Sequence, residues 1–223
     1  MPAASGLQEP HFRPTLLYRF MLRVIVPVIL GTWVRMDVQG REHIPSVGPF
    51  IVVSNHVDNN DTYVIGRYLR TVHYLARPGG MESRVLGRFW KAMAAVPADR
   101  KGLSQALALL KAGEVIGIFP DAVIAPSLVQ AKAGVAALAV RSGAPVLPVA
   151  IWGTERVRIW PLPRGRRRTV HLRFGAPRVL DRAGVRGQGL QQLADSLMTD
   201  VAAMLPPAYR GYYAAARVRE ERS

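Results

Sequence analysis

Short apolar runs alternate with amphipathic stretches of about a dozen residues along most of this chain, and few folds accommodate that alternation. The runs "PFIVVSNH", "VHYLARP" (Val72 to Pro78), "AAVPADR", "EVIGIFP", "APVLPVAIWGT" and "TVHLRFGAP" read as strands. Between them, Asp61 to Leu69, "MESRVLGRFWKAM" (Met81 to Met93), "GLSQALALLKAG" and "AKAGVAALAVRSG" read as helices. Gly113 and Gly143 stand where such helices stop. "QGLQQLADSLMTDVAAML" closes the pattern as a last amphipathic helix, and "PLPRGRRRTV" is a basic loop between two strands. The fold class expected is α/β, a mixed, largely parallel central sheet flanked by helices.

The N-terminal end breaks the pattern. Residues 1–14 read as a ragged tail, followed by "LLYRFMLRVIVPVILGTWVR", Leu16 to Arg35. Arg19, Arg23 and Pro27 interrupt this apolar stretch, whereas an uninterrupted membrane span needs about 20 apolar residues. One or two helices lying in a membrane interface, basic edge toward anionic lipid, fit this stretch better than a core helix or a true span. The expected organisation is therefore residues 1–38 as tail and membrane-interface helices, and residues 39–223 as the α/β domain.

Charge narrows the partners. The formal net charge is +15 and the isoelectric point about 11.2, so the chain should seek something anionic. Lysine occurs only at positions 91, 101, 111 and 132, so nearly all the positive charge is arginine. The arginines are scattered instead of interleaved with aromatics, and no nucleic-acid module is recognisable, so no nucleic-acid partner is expected. The absence of cysteine excludes disulfides, thiolate metal sites and cysteine nucleophiles. The histidines at 11, 43, 56, 73 and 171 have no helical ligand spacing, so no metal site is expected; His73 and His171, in apolar strands, suit structural roles.

The stretch "SNHVDNNDTYV", residues 54–64, puts His56 and Asp61 just after the apolar run Phe50 to Val53. On one continuous helix a separation of five would turn Asp61 about 140° away from His56. The two can meet only if the chain leaves a strand, turns, and enters a helix near Asp61. Such a turn is either a plain helix cap with a satisfied histidine or a catalytic pair. Histidine is suited to general-base work near neutral pH, and a carboxylate on its other nitrogen would orient it.

Four blocks decide between these readings: "NHVDNND" (55–61), "AVPADRKG" (95–102), "GIFPDAVIAPSLVQAKAG" (117–134) and "APVLPVAIWGTE" (144–155). Their order and spacing resemble the glycerolipid acyltransferase family, whose best-known members are 1-acyl-glycerol-3-phosphate acyltransferases. The resemblance covers residues from about 40 to 180, and "LPPAYRGYYA" (Leu205 to Ala214) also looks like the tail of actinobacterial-type members. It implies an acyltransferase in which His56 is the general base and Asp61 its orienting partner, with the lipid hydroxyl in the place of an enzyme nucleophile. It further implies that Asn55, Arg100, Asp121 and Lys132 bind substrate, Arg100 at the acceptor phosphate. The co-substrate would be acyl-CoA or acyl carrier protein, with no resident cofactor. The protein would work with membrane lipids at the cell membrane, peripheral or monotopic on the cytoplasmic face.

The third block departs from the family's Phe-Pro-Glu-Gly-Thr-Arg. Phe119 and Pro120 match, Asp121 replaces the glutamate, and Ala122, Val123 and Ile124 replace the rest. Losing one charge-assisted phosphate contact costs on the order of 1.5–3 kcal/mol. Lys132, or Arg164, Arg166, Arg167 and Arg168 of the basic loop, could compensate. Asp58 stands where the family commonly has serine, and Thr62 where it has proline. The departures leave the base and its partner intact and fall on the acceptor pocket. The function expected is a membrane-surface O-acyltransferase acting on a lysophospholipid or related lipid; the alternative is a weakened member that binds or scaffolds lipid without turnover.

Overall fold

Seven strands form one sheet in the order β1-β7-β6-β2-β5-β3-β4. The computed structural model describes residues 34–69, 71–76, 94–157, 168–180 and 182–215, with isolated positions 15, 16, 20, 24 and 28; over 182–188 it describes the backbone alone. The strands are β1 (Val34–Gln39), β2 (Phe50–Ser54), β3 (Val72–Ala76), β4 (Val96–Pro97), β5 (Val115–Ile118), β6 (Val146–Trp152) and β7 (Arg168–Phe174). The helices are α1 (Asp61–Tyr68), α2 (Arg100–Lys111), α3 (Gly134–Ser142) and α4 (Arg182–Met204), the last broken at Gly189, whose φ is 75°. The expected helix over 81–93, residues 161–167 of the basic loop, the tail and most of the N-terminal segment lie outside the described residues.

Every strand pair is parallel except β6 with β7. This is the mixed, largely parallel sheet that the pattern predicts. The central strands are apolar, save Ser54 at the end of β2, because both faces are covered. Ile51, Val53, Ile116, Val146 and Ala150 pack under α2, α3 and α4 through Ala106, Leu110, Leu138, Leu197 and Met198. On the other face Val52, Val72, Leu147, Val149 and Ile151 pack with Val64 and Ile65 of α1. β7, near the edge, alternates instead: Val170, Leu172 and Phe174 are buried, while His171 and Arg173 form a half-exposed cluster with Asp37. His171 and His73 are both bonded within the fold, His73 through Nδ1 to the Ala94 carbonyl at 2.9 Å.

β1 was not expected. It pairs with β7 from Val34↔Arg168 to Gln39↔Arg173 and closes one edge of the sheet. The boundary expected between residues 38 and 39 therefore falls inside a strand, and the sheet already begins at Val34. Among the described residues no helix is long and apolar enough to cross a membrane.

Candidate functional site

β2, β3, β4, β5 and β6 run parallel, so their C-terminal ends share one edge of the sheet. That edge is where open α/β sheets gather ligand-binding residues. His56 follows the end of β2, Arg100 the end of β4, Asp121 and Lys132 the end of β5, and Thr154 the end of β6. The required strand, turn and helix are present between Phe50 and Tyr68, and Asp61 is the first residue of α1.

His56 Nδ1 lies 2.8 Å from Asp61 Oδ2. The same oxygen accepts from the backbone N–H groups of Val57 at 2.7 Å and Asp58 at 2.9 Å, and Oδ1 accepts from the Thr154 hydroxyl at 2.6 Å. A carboxylate can only accept, so the ring nitrogen facing it carries a proton, and in the neutral imidazole the lone pair is then on Nε2. Cap and catalytic pair are thus one device: Asp61 ties the turn and orients the ring together. Asp61 is 0% exposed, while the His56 side chain keeps 15% of its surface open.

The ring plane is set by a stack. Phe119 lies against His56 with centroids 4.0 Å apart at 14°, and Tyr74 lies behind Phe119 at 5.7 Å and 5°. Gly117 makes room for this stack, since a Cβ there would meet the Tyr74 ring at 2.5 Å. The third block then folds back over the turn: Ala125 N–H donates to the His56 carbonyl and Lys132 N–H to the Pro120 carbonyl, both at 3.0 Å. The "YRGYY" segment clasps that loop. Leu128 N–H donates to the Tyr209 carbonyl, Tyr212 N–H to the Leu128 carbonyl, and Ala131 N–H to the Tyr213 hydroxyl.

The expected substrate-binding residues divide. Asn55 is buried, and its carboxamide is used at both ends by Ile151, donating to the carbonyl at 2.7 Å and accepting from the N–H at 2.9 Å. It braces β2 against β6, each end of the amide taking one backbone partner. Arg100 and Lys132 are exposed. Arg100 opens α2, where Asp99 caps the helix by accepting from Gly102 N–H at 2.7 Å. It stands three strand spacings from β2, roughly 14 Å, so it can face a substrate but not the pair itself. Asp58 turns its carboxylate to Asn60, whose N–H and side-chain amide donate to it at 2.9 and 2.6 Å. Where an arginine is expected in the third block, Val123 and Ile124 are exposed instead.

Asp121 is 4% exposed, and its Oδ1 has no hydrogen-bond partner among the described residues. Burial pushes its carboxyl from the ordinary 3.8 up to about 6; the neighbouring His56 charge pulls it down, and Asp61 pushes it further up. Between those two values the folded chain holds more protons than the unfolded one, so this group's contribution to stability is present below about 4 and is lost as pH rises through 6. Asp121→Asn removes the buried charge. It is expected to stabilise the fold at pH 8 by on the order of 2 kcal/mol, with the gain shrinking below pH 6 and gone near pH 4. Denaturant titrations at these pH values measure it; a gain independent of pH would contradict the assignment.

Thr154 was missed by the sequence reading. Its block was read as a strand, and the contact to Asp61 spans 93 residues. The Gly-Thr step directly after an apolar run was the available signal.

A sequence model of the Acyltransferase family matches residues 35–152, just over half of the chain. A 1-acyl-sn-glycerol-3-phosphate acyltransferase of Bacillus subtilis is 28% identical over 144 residues, covering 61% of this chain and 72% of that protein. A chloroplastic protein of the same description from Brassica napus is 24% identical over 195 residues, 83% of this chain, which spans 55% of the plant protein's length. The crystal structure of the 1-acyl-sn-glycerophosphate (LPA) acyltransferase PlsC from Thermotoga maritima superposes with a TM-score of 0.60 at 27% identity, over 75% of this chain and 69% of that one.

Proposed function

This chain belongs to the glycerolipid acyltransferase family, and from that premise we propose that it moves a fatty acyl group from a thioester donor to the free hydroxyl of a lysophospholipid at a membrane surface. Its activity is of the 1-acyl-glycerol-3-phosphate acyltransferase type. The observation that carries the mechanism is the 2.8 Å contact between His56 Nδ1 and buried Asp61, with the other ring nitrogen left to act as a base.

His56 Nε2 takes the proton of the lipid hydroxyl as its oxygen attacks the thioester carbonyl. Asp61 stabilises the imidazolium that forms. The tetrahedral intermediate collapses by breaking the carbon–sulfur bond, and the imidazolium returns its proton to the departing thiolate. The products are the acylated lipid and the free thiol of coenzyme A or of the carrier protein's phosphopantetheine arm. The donor is anionic in either form, and the basic surface of the chain would steer it. Arg100 and Lys132, both exposed at the strand-end edge, would meet the acceptor's phosphate, Arg100 by a bidentate contact.

Membrane attachment on the cytoplasmic face draws its support from the apolar, arginine-edged stretch Leu16 to Arg35, in which Leu16, Phe20, Val24 and Val28 are exposed. A lipid-binding protein without turnover is the weaker reading, because the pair is fully assembled.

The test is incubation of purified protein with one labelled long-chain acyl-CoA and a mixture of lysolipids, followed by mass spectrometry, with acyl carrier protein as a parallel donor. Labelled diacyl product with stoichiometric free thiol is expected. No acylated lipid from either donor would overturn the proposal.

A further inference from the structure

We propose that Thr154 is a positioning residue for the His56–Asp61 pair, locking the carboxylate so that its other oxygen stays aimed at the imidazole. This rests on the acyl-transfer reading above. Asp61 divides its hydrogen bonds unevenly: Oδ2 takes His56 Nδ1, Val57 N–H and Asp58 N–H, all from the same short turn. The one bond to Oδ1 among the described residues comes from the Thr154 hydroxyl, at 2.6 Å, from the turn that follows β6. A carboxylate held through one oxygen can still swing about its own axis; held through both, it cannot. Thr154 and Asp61 are both fully buried, so water has no access to replace the bond.

Thr154 is itself well fixed. As a β-branched residue it has few rotamers. It opens a single turn after β6 in which Val157 N–H donates to its carbonyl at 2.9 Å. Gly153 before it has a φ of 91°, and a Cβ there would meet the Thr169 carbonyl oxygen at 2.5 Å. Gly153 N–H donates to Glu155 Oε2 at 2.8 Å, and Glu155 Oε1 accepts from the Tyr209 hydroxyl at 2.7 Å. The end of β6, and through Glu155 the "YRGYY" segment, thus set where the hydroxyl points. Asn55, just after β2, ties that strand's end to β6 by its bonds to Ile151.

The experiment compares Thr154→Val, which keeps the shape and loses the hydroxyl, with Thr154→Ser, which keeps the hydroxyl. Val is expected to lower kcat about 10–100-fold with KM for both substrates within about threefold, the signature of an interaction used in the transition state. It should also shift or broaden the downfield proton resonance of His56 Nδ1–H. Ser is expected to restore both. If Val does not fold, as judged by circular dichroism, Thr154→Ala is measured against the same criteria. A variant lacking the hydroxyl that keeps kcat within threefold and an unchanged resonance overturns the inference, and so does a raised KM at unchanged kcat. His56→Ala is run alongside: if it too is fully active, it is the acyl-transfer reading that fails.

Discussion

Replacing His56 with alanine is expected to reduce kcat for acyl transfer by about 10³-fold while leaving the chain folded. The hydroxyl of a lipid alcohol is a poor nucleophile until its proton has somewhere to go, and Nε2 is the acceptor the structure offers. The loss should appear in kcat and not in KM, because the imidazole meets only the reacting hydroxyl. The fold should survive for a specific reason. Asp61 keeps three of its four donors, Val57 N–H, Asp58 N–H and Thr154, so the turn stays tied without the ring. What is lost is one hydrogen bond and the stack on Phe119, about 1–2 kcal/mol together. Steady-state rates with labelled acyl-CoA and a thermal melt settle both halves. Activity above a tenth of wild type would remove His56 from the mechanism.

How much of this was legible in the sequence follows from the distances over which each feature is made. β2, β5 and β6 were readable because a parallel strand buried on both faces must be apolar at every position, which "FIVV", "VIGI" and "VLPVAI" are. Gly143 was readable as a stop because α3 ends there in a left-handed conformation, φ 66°, which suits glycine. The His56–Asp61 pair was readable because it closes within a single turn. β1 was not. Its polar residues alternate with apolar ones, yet it abuts the long hydrophobic N-terminal stretch, and its partner β7 lies more than a hundred residues away. The same holds inside the site. Asn55 shows nothing in one dimension of the two bonds that tie its amide to Ile151, and Thr154 reads as the end of a strand until it meets Asp61. Asp121 shows the reverse case. A conservative-looking change from glutamate proves to be a buried carboxyl with one oxygen unpaired among the described residues, beside exposed Val123 and Ile124 in place of the expected polar residues. Local chemistry was visible in one dimension; braces and burial needed the fold.

Asp61→Asn is expected to approach that loss in rate, about 10²–10³-fold in kcat, at small cost in stability. The substitution preserves nearly every contact. With its amide oxygen at the Oδ2 position, asparagine still accepts from His56, Val57 and Asp58; the flipped orientation would set an NH₂ against those three donors and is excluded. Its NH₂ then faces Thr154, whose hydroxyl can reverse from donor to acceptor. Exchanging charge-assisted bonds for neutral ones costs about 1–2 kcal/mol, a melting shift of roughly 3–6 °C for a chain of this size. What asparagine cannot do is stabilise the imidazolium formed when His56 takes the lipid proton, so the loss falls on the transition state. Asp61→Ala makes the useful contrast: it strands the buried Val57 N–H and the half-buried Asp58 N–H and should destabilise the fold by about 2 kcal/mol or more while removing the same charge. If the asparagine variant retains above a tenth of wild-type kcat at an unaltered melting temperature, the carboxylate is only a helix cap, and the proton must be handled without it.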